Sequence, residues 1–168
     1  KLTEDVNEME KMLNEYLQFA RSQFSEKTTK INLNTFIKSL ISKYENNNIK
    51  LELPKNIEIN GRANLLKRCF DNLINNSIKY SNNINLKLTK SYNHTLIIIE
   101  DDGPGIPINE YENVFKPFYK IDKSRGDSKS SVGLGLSIAN DIVKSHGGNI
   151  KLDKSDLGGL QVKIFLPS

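Results

Sequence analysis

The stretch from Arg62 to Asp101 constrains the fold most. Residues 62–80 read as one long helix with Leu65, Leu66, Cys69, Phe70, Leu73 and Ile74 on one side. Two strands follow directly, at 84–90 and 95–100, joined by a turn at "SYNH". The same mixture runs through the rest of the chain. A short helix is expected from Asn34, a cap candidate, to Tyr44, broken by "NNN" at 46–48. Ile49–Leu53 and Ile57–Ile59 read as strands, ended by Pro54 and Gly61. A helix near 108–115 and another at 134–146 are expected, the second ending in Gly147-Gly148. Strands at 149–153 and 160–166 flank a turn at "SDLGG". Helices and hairpins mix without repeated βαβ units. The expected class is α+β, a two-layer α/β sandwich with a mixed, mostly antiparallel sheet.

One long amphipathic helix precedes this domain. Over residues 1–24 the apolar positions Leu2, Val6, Met9, Leu13, Tyr16 and Ala20 follow the spacing 4, 3, 4, 3, 4, a heptad seam. Met12, Leu17, Phe19 and Phe24 widen it, and Thr3 or Asp5 stands where a cap is expected. A regular seam of this width calls for a partner helix, either from a second chain or from its own domain. Residues 25–33, "SEKTTKINL", read as a linker. The expected division is 1–30 for helix and linker and 31–168 for the α+β domain.

Length and composition narrow the function classes. With 168 residues there is room for one ordinary domain plus one extra element. The hydrophobic share of 37% supports a core, so wholesale disorder is not expected. Cys69 is the only cysteine, which excludes a disulfide-stapled module and a cysteine-rich zinc fold. The longest aliphatic run, Leu96–Ile99, is far short of the roughly 20 residues needed to span a bilayer. Lys1 reads as a position inside a longer protein, so targeting signals are expected elsewhere. The net charge is +4, but only four of the 24 basic residues are arginine and the lysines are scattered. No concentrated basic face with aromatic interleaving is visible, so no nucleic-acid partner is expected.

Four motifs carry chemistry. "DDGPGIP", Asp101–Pro107, follows the strand "LIIIE". A carboxylate at a strand end can accept from an exocyclic amine, and paired glycines let backbone approach a ligand; a tight loop would explain the motif equally well. In "SSVGLGLSIA", Gly133 and Gly135 stand where a polar loop becomes a helix, a place where N–H groups and the helix dipole form an anion site. A simple glycine-rich helix start is the alternative. Neither a Walker loop nor a dinucleotide fingerprint is present. In "DNLINNSIKY", Asn72 and Asn76 lie four apart on one helix face, with Lys79 and Tyr80 one turn on. A neutral amide oxygen can ligate Mg²⁺ when a triphosphate supplies the charge, though surface asparagines are common in so Asn-rich a chain. In "VFKPFYKIDKSRG", Phe115 and Phe118 are expected to anchor a segment carrying Lys116, Lys120, Lys123, Arg125 and Lys129, either a lid over phosphates or a solvated loop.

In order and spacing, Asn72-x₃-Asn76, Asp101-x-Gly103-x-Gly105, Phe115-x₂-Phe118 and Gly133-x-Gly135 resemble the N, G1, F and G2 boxes of sensor histidine kinases. These are ATP-binding domains of the GHKL superfamily, and the style is similar to EnvZ-like kinases. The resemblance covers residues 34–166, and residues 1–24 resemble the second helix of the dimerisation and histidine-phosphotransfer hairpin. It implies the Bergerat fold, ATP and Mg²⁺. It also implies roles. Asn76 would ligate Mg²⁺ with help from Asn72, while Lys79 and Tyr80 would contact phosphate and nucleotide. Asp101 would accept from the adenine amine in a pocket shaped by Gly103, Gly105 and Ile106. Lys120 and Arg125 would steady the phosphates. Ser131, Val132, Gly133, Leu134, Gly135 and Leu136 would present backbone N–H groups to them. Ser131 departs from the glycine that many relatives carry.

The resemblance further implies phosphoryl transfer to a histidine, relay to a response regulator, a homodimer through the N-terminal helix, and a cytoplasmic place within an inner-membrane sensor. Neither His94 nor His146 has the neighbours of the family's acceptor, so the acceptor is expected on another segment. The alternatives are a GHKL ATPase or anti-sigma-type serine kinase, and a nucleotide-free scaffold.

Overall fold

The structure is a computed structural model and describes residues 2–119, 121 and 134–167. In chain order the elements are α1 (Leu2–Ser25), β1 (Thr29–Asn32), α2 (Leu33–Ile41), β2 (Asn48–Glu52) and β3 (Glu58–Gly61). Then come α3 (Ala63–Tyr80), β4 (Asn83–Lys90), β5 (His94–Asp101), α4 (Gly135–Ser145), β6 (Asn149–Lys154) and β7 (Leu160–Pro167).

Alternation builds the sheet. In β5 the residues Thr95, Ile97, Ile99 and Asp101 are buried, and in β7 Leu160, Val162, Ile164 and Leu166 are. The period of two puts each set on one face, which α3 and α4 cover. The strand order is β2-β4-β5-β7-β6; β2 runs parallel to β4 and every other pair is antiparallel. The mixed, mostly antiparallel sandwich is therefore as expected. Leu65, Leu66, Cys69, Phe70, Leu73 and Ile74 of α3 are all buried in the core. Each large apolar side chain there contributes about 1.5–3 kcal/mol.

Five local expectations are corrected. The linker at 25–33 contains β1, which pairs antiparallel with β3, placing Ile31 opposite Ile59. One buried isoleucine in a polar run is too weak a pattern to reveal a strand; the partner supplies it. Asn34 is not the cap of α2. Asn32 is, its side chain accepting from Thr35 N–H at 3.1 Å. Asn34 is buried, donating to Pro54 O at 2.6 Å and accepting from Ile57 N–H at 2.8 Å. Thr3 and Asp5 lie inside α1, because the helix already runs from Leu2. The helix at 108–115 is replaced by two 3₁₀ turns, Ile108–Glu110 and Asn113–Phe115. The segment is too short, and its first apolar residue, Ile108, too exposed at 65%, to repay helix nucleation. Phe118 does not anchor the following segment: it is 58% exposed at φ 65°, while Val114 is buried and Phe115 packs on the core.

On α1 the heptad seam faces outward, with Leu2, Val6, Met9, Leu13, Tyr16 and Leu17 all exposed. Met12 and Phe19 lie along one flank of the seam and are buried against the α+β domain. No described helix is long and apolar enough to cross a membrane.

Candidate nucleotide-binding site

Asp101 ends β5 and is 5% exposed. Its Oδ1 accepts the Gly103 N–H at 3.0 Å and the Leu160 N–H at 3.1 Å, and its own carbonyl accepts the Gly159 N–H at 3.0 Å. Among the described residues none of these donors goes to Oδ2. One oxygen is thus fixed by backbone, and the other remains to accept from a ligand. A buried carboxylate held in this way can accept a hydrogen bond from an N–H donor.

The helix α3 touches both glycine loops. At its C-terminal end, a Cβ on Gly103 would lie 2.6 Å from Tyr80 O, so only glycine lets the Asp101 loop pack there. Nearer its middle, Asn72 Nδ2 donates to Gly135 O at 3.4 Å, tying α3 to the start of α4. That bond leaves the Asn72 oxygen unspent. Asn76 follows one turn later, half-buried. Lys79 Nζ sits 5.4 Å from the centre of the Tyr80 ring, and that ring is 50% exposed at the end of the helix. Gly105 and Ile106 continue the loop, with Ile106 packed against the core.

The first turn of α4 offers unpaired N–H groups that an anion could take. Leu134 holds the cap position and no side chain caps the helix. Ile138 N–H is the first to find an intrahelical carbonyl, Leu134 O at 2.9 Å. The N–H groups of Leu134, Gly135, Leu136 and Ser137 therefore have no intrahelical acceptor, and the helix dipole adds positive potential. Lys120, Arg125, Ser131, Val132 and Gly133 lie outside the described residues, as does most of the expected lid.

Three contributors were missed in the sequence. Gly159 and Leu160 lie at the start of β7, yet their N–H groups orient Asp101; the glycine pair before the last strand was read only as a turn. Asp102 is the third. Its Oδ1 accepts from Asn82 N–H at 2.9 Å and Asn83 N–H at 3.0 Å, which ties the loop to the start of β4. Hydrogen bonds from the Asn83 backbone and side chain hold its carboxyl below the usual range.

Residues 61–168 match the family described as "Histidine kinase-, DNA gyrase B-, and HSP90-like ATPase". The chain belongs to this family. The GHKL resemblance is thereby confirmed, and as a member of an ATPase family the domain takes ATP as its nucleotide. Sensor protein RstB of Escherichia coli (strain K12) is 30% identical over 175 residues, covering 99% of this chain and 40% of the relative. Sensor protein kinase WalK of Staphylococcus haemolyticus (strain JCSC1435) is 32% identical over 177 residues, covering 98% of this chain and 29% of the relative. The chain thus spans less than half the length of these curated relatives. The nucleotide-free catalytic domain of histidine kinase ThkA matches with a TM-score of 0.73 and 25% identity, over 84% of this chain and 97% of that one.

Proposed function

We propose that this chain is the ATP-binding catalytic portion of a two-component sensor histidine kinase. It would transfer the γ-phosphoryl of ATP to a histidine on a segment outside these 168 residues, for relay to a response regulator. The observation that carries the reading is the Asp101 carboxylate, one oxygen fixed by Gly103 and Leu160 and the other open, beside a helix that also meets the uncapped start of α4.

Asp101 Oδ2 accepts from the adenine amine, with Gly103, Gly105 and Ile106 as the pocket wall. Lys79 and Tyr80 meet the nucleotide from the end of α3. The backbone N–H groups from Ser131 to Leu136 receive the phosphates, and Lys120 and Arg125 complete the charge balance. Asn76, with Asn72, would hold Mg²⁺. Among the described residues there is no cluster of three His, Cys, Asp or Glu. Neutral amide oxygens fit an ion whose charge is balanced by the triphosphate. A bound Mg²⁺ neutralises phosphate charge, and the protein's own part is positioning and electrostatic stabilisation.

The two histidines of the chain support an acceptor located elsewhere. His146 has both ring nitrogens bonded to backbone, and His94 packs its ring 5.5 Å from Phe165 in the sheet. The exposed heptad seam of α1 favours a homodimer through that helix, and the sensor relatives favour a cytoplasmic position behind an inner membrane. Both features favour a histidine kinase over a GHKL ATPase or anti-sigma-type kinase. The test is a transfer assay with γ-labelled ATP, Mg²⁺ and a supplied hairpin fragment carrying the acceptor histidine. Labelled fragment is the expected result. ATP binding without any transfer would support the ATPase reading instead, and no ATP binding at all the nucleotide-free scaffold.

A further inference from the structure

Three helix ends meet at one place outside the nucleotide site: the end of α1, the start of α3 and the end of α4. Arg62 holds the cap position of α3 but its side chain does not cap it. Glu26 does so from just beyond α1, its carboxylate accepting the Asn64 N–H at 2.8 Å and the Leu65 N–H at 3.1 Å. A carboxylate there satisfies two orphan donors and faces the positive end of the helix dipole. The guanidinium thereby released reaches the other two helices. Arg62 donates to Gln23 O in the last turn of α1 at 2.7 Å, and to both Ser145 O and Ser145 Oγ at the end of α4.

His146 closes the cluster. Its Nε2 faces the Arg62 backbone N–H at 3.0 Å, and its Nδ1 faces Ile142 O at 2.8 Å. A carbonyl only accepts, so Nδ1 carries a proton; a backbone N–H only donates, so Nε2 is bare. Both bonds coexist only in the neutral ring with the proton on Nδ1. Further along, Arg68 donates to Glu15 O of α1 at 2.9 Å, and Met12 and Phe19 complete the contact with buried side chains.

We propose that Glu26, Arg62 and His146 form a proton-sensitive latch that locks α1 onto the ATP-binding domain while His146 is neutral and releases it when His146 is protonated. A proton on Nε2 would point at the Arg62 N–H, and the new cation would stand beside the Arg62 guanidinium. The groups facing His146 are Arg62 from the β3–α3 junction, Glu26 from beyond α1, and the Ser145 hydroxyl on α4. Burial, the largest influence, together with Arg62 opposes the charged ring and outweighs the Ile142 carbonyl bond and the attraction of Glu26, holding its pKa below 6.5. The sign follows: the latch is fully closed above 6.5 and weakens as pH falls below that value toward the lowered folded pKa. While closed, the outward seam of α1 and the Asn72–Asn76 face of α3 move as one body. None of this depends on the phosphoryl-transfer reading.

Cys69 is buried, so thiol dyes can be directed to Glu8→Cys on α1 and Tyr92→Cys in the β4–β5 turn, both exposed positions. Single-molecule energy transfer on the full chain would be recorded at about pH 7.5 and about pH 5.5. The expected result is one narrow population at the higher pH and a second, displaced population at the lower. Glu26→Gln and Arg62→Ala should show the displaced population at both values, with the β-sheet circular dichroism retained. His146→Gln should respond equally at both, and His94→Gln should behave as wild type. If Arg62→Ala does not fold, Glu26→Gln carries the comparison alone. One unchanged population at both pH values, or a pH response that survives His146→Gln, would overturn the proposal.

Discussion

The backbone N–H of Leu160 donates to Asp101 Oδ1 at 3.1 Å, joining two residues far apart in sequence across the neighbouring strands β7 and β5. The carboxylate proposed to recognise the nucleotide is therefore oriented by the last strand of the sheet as well as by its own loop. With Oδ1 held by Leu160 and Gly103, Oδ2 is the oxygen proposed to accept from adenine.

Asp101→Asn preserves an oxygen for the two backbone donors but places an amide NH₂ where adenine needs an acceptor. A hydrogen bond to a charged acceptor contributes roughly 1.5–3 kcal/mol, so ATP affinity should fall at least about tenfold. Calorimetry checks this. Equal affinity in the two proteins, or GTP bound as tightly as ATP, would remove the adenine assignment.

Gly159→Ala tests the support of that carboxylate. A Cβ at this position would lie 2.2 Å from Asp101 Oδ1 and 2.5 Å from Asp101 O, so backbone or carboxylate must shift. Overpacking of this kind costs about 1–3 kcal/mol, and the displaced acceptor should also weaken ATP binding. Thermal melting with and without nucleotide separates the two effects. Wild-type stability and affinity together would show that the contact is relieved elsewhere.

The isolated chain should not label itself with γ-labelled ATP, because neither His94 nor His146 is placed to receive a phosphoryl group. Acid-labile phosphate recovered on either residue would contradict the proposed acceptor. In the transfer assay, Arg125→Ala should slow labelling of the hairpin fragment more than it weakens ADP binding, since its proposed partner is the transferring phosphate.

Tyr44 gives a pH dependence on the alkaline side. Its hydroxyl donates to Asp71 Oδ1 at 2.7 Å, and burial followed by that bond and the Asp71 charge raises its pKa above the ordinary 10.0. The folded state thus holds the proton more tightly than the unfolded state. The contribution is complete below pH 10.0 and is lost as pH rises above it, toward the raised folded value. Tyr44→Phe should destabilise the chain by about 0.5–1.5 kcal/mol near neutrality and flatten the alkaline limb of a stability-against-pH curve. An unaltered alkaline limb in the variant would assign it to other groups.

The elements with strong local periodicity were legible in the sequence. The apolar stripe of α3, the alternation of β5 and β7, and the order of the Asn, Asp-Gly and Gly motifs follow from side-chain spacing, which each segment carries within itself. They determined the fold class, and the order of the motifs named Asn72 to Asp101 as the candidate site. What a polar side chain bonds to was decided only by the tertiary structure. Asn34 looks like a cap and is a buried strut between Pro54 and Ile57. Glu26 looks like linker and caps α3. Arg62 and His146, 84 positions apart, share one hydrogen bond. Ile31 becomes part of a strand because Ile59 lies opposite it. A hydrogen bond reaches only about 3 Å, so its partner is whichever group the packed core brings that close, and no local pattern records that.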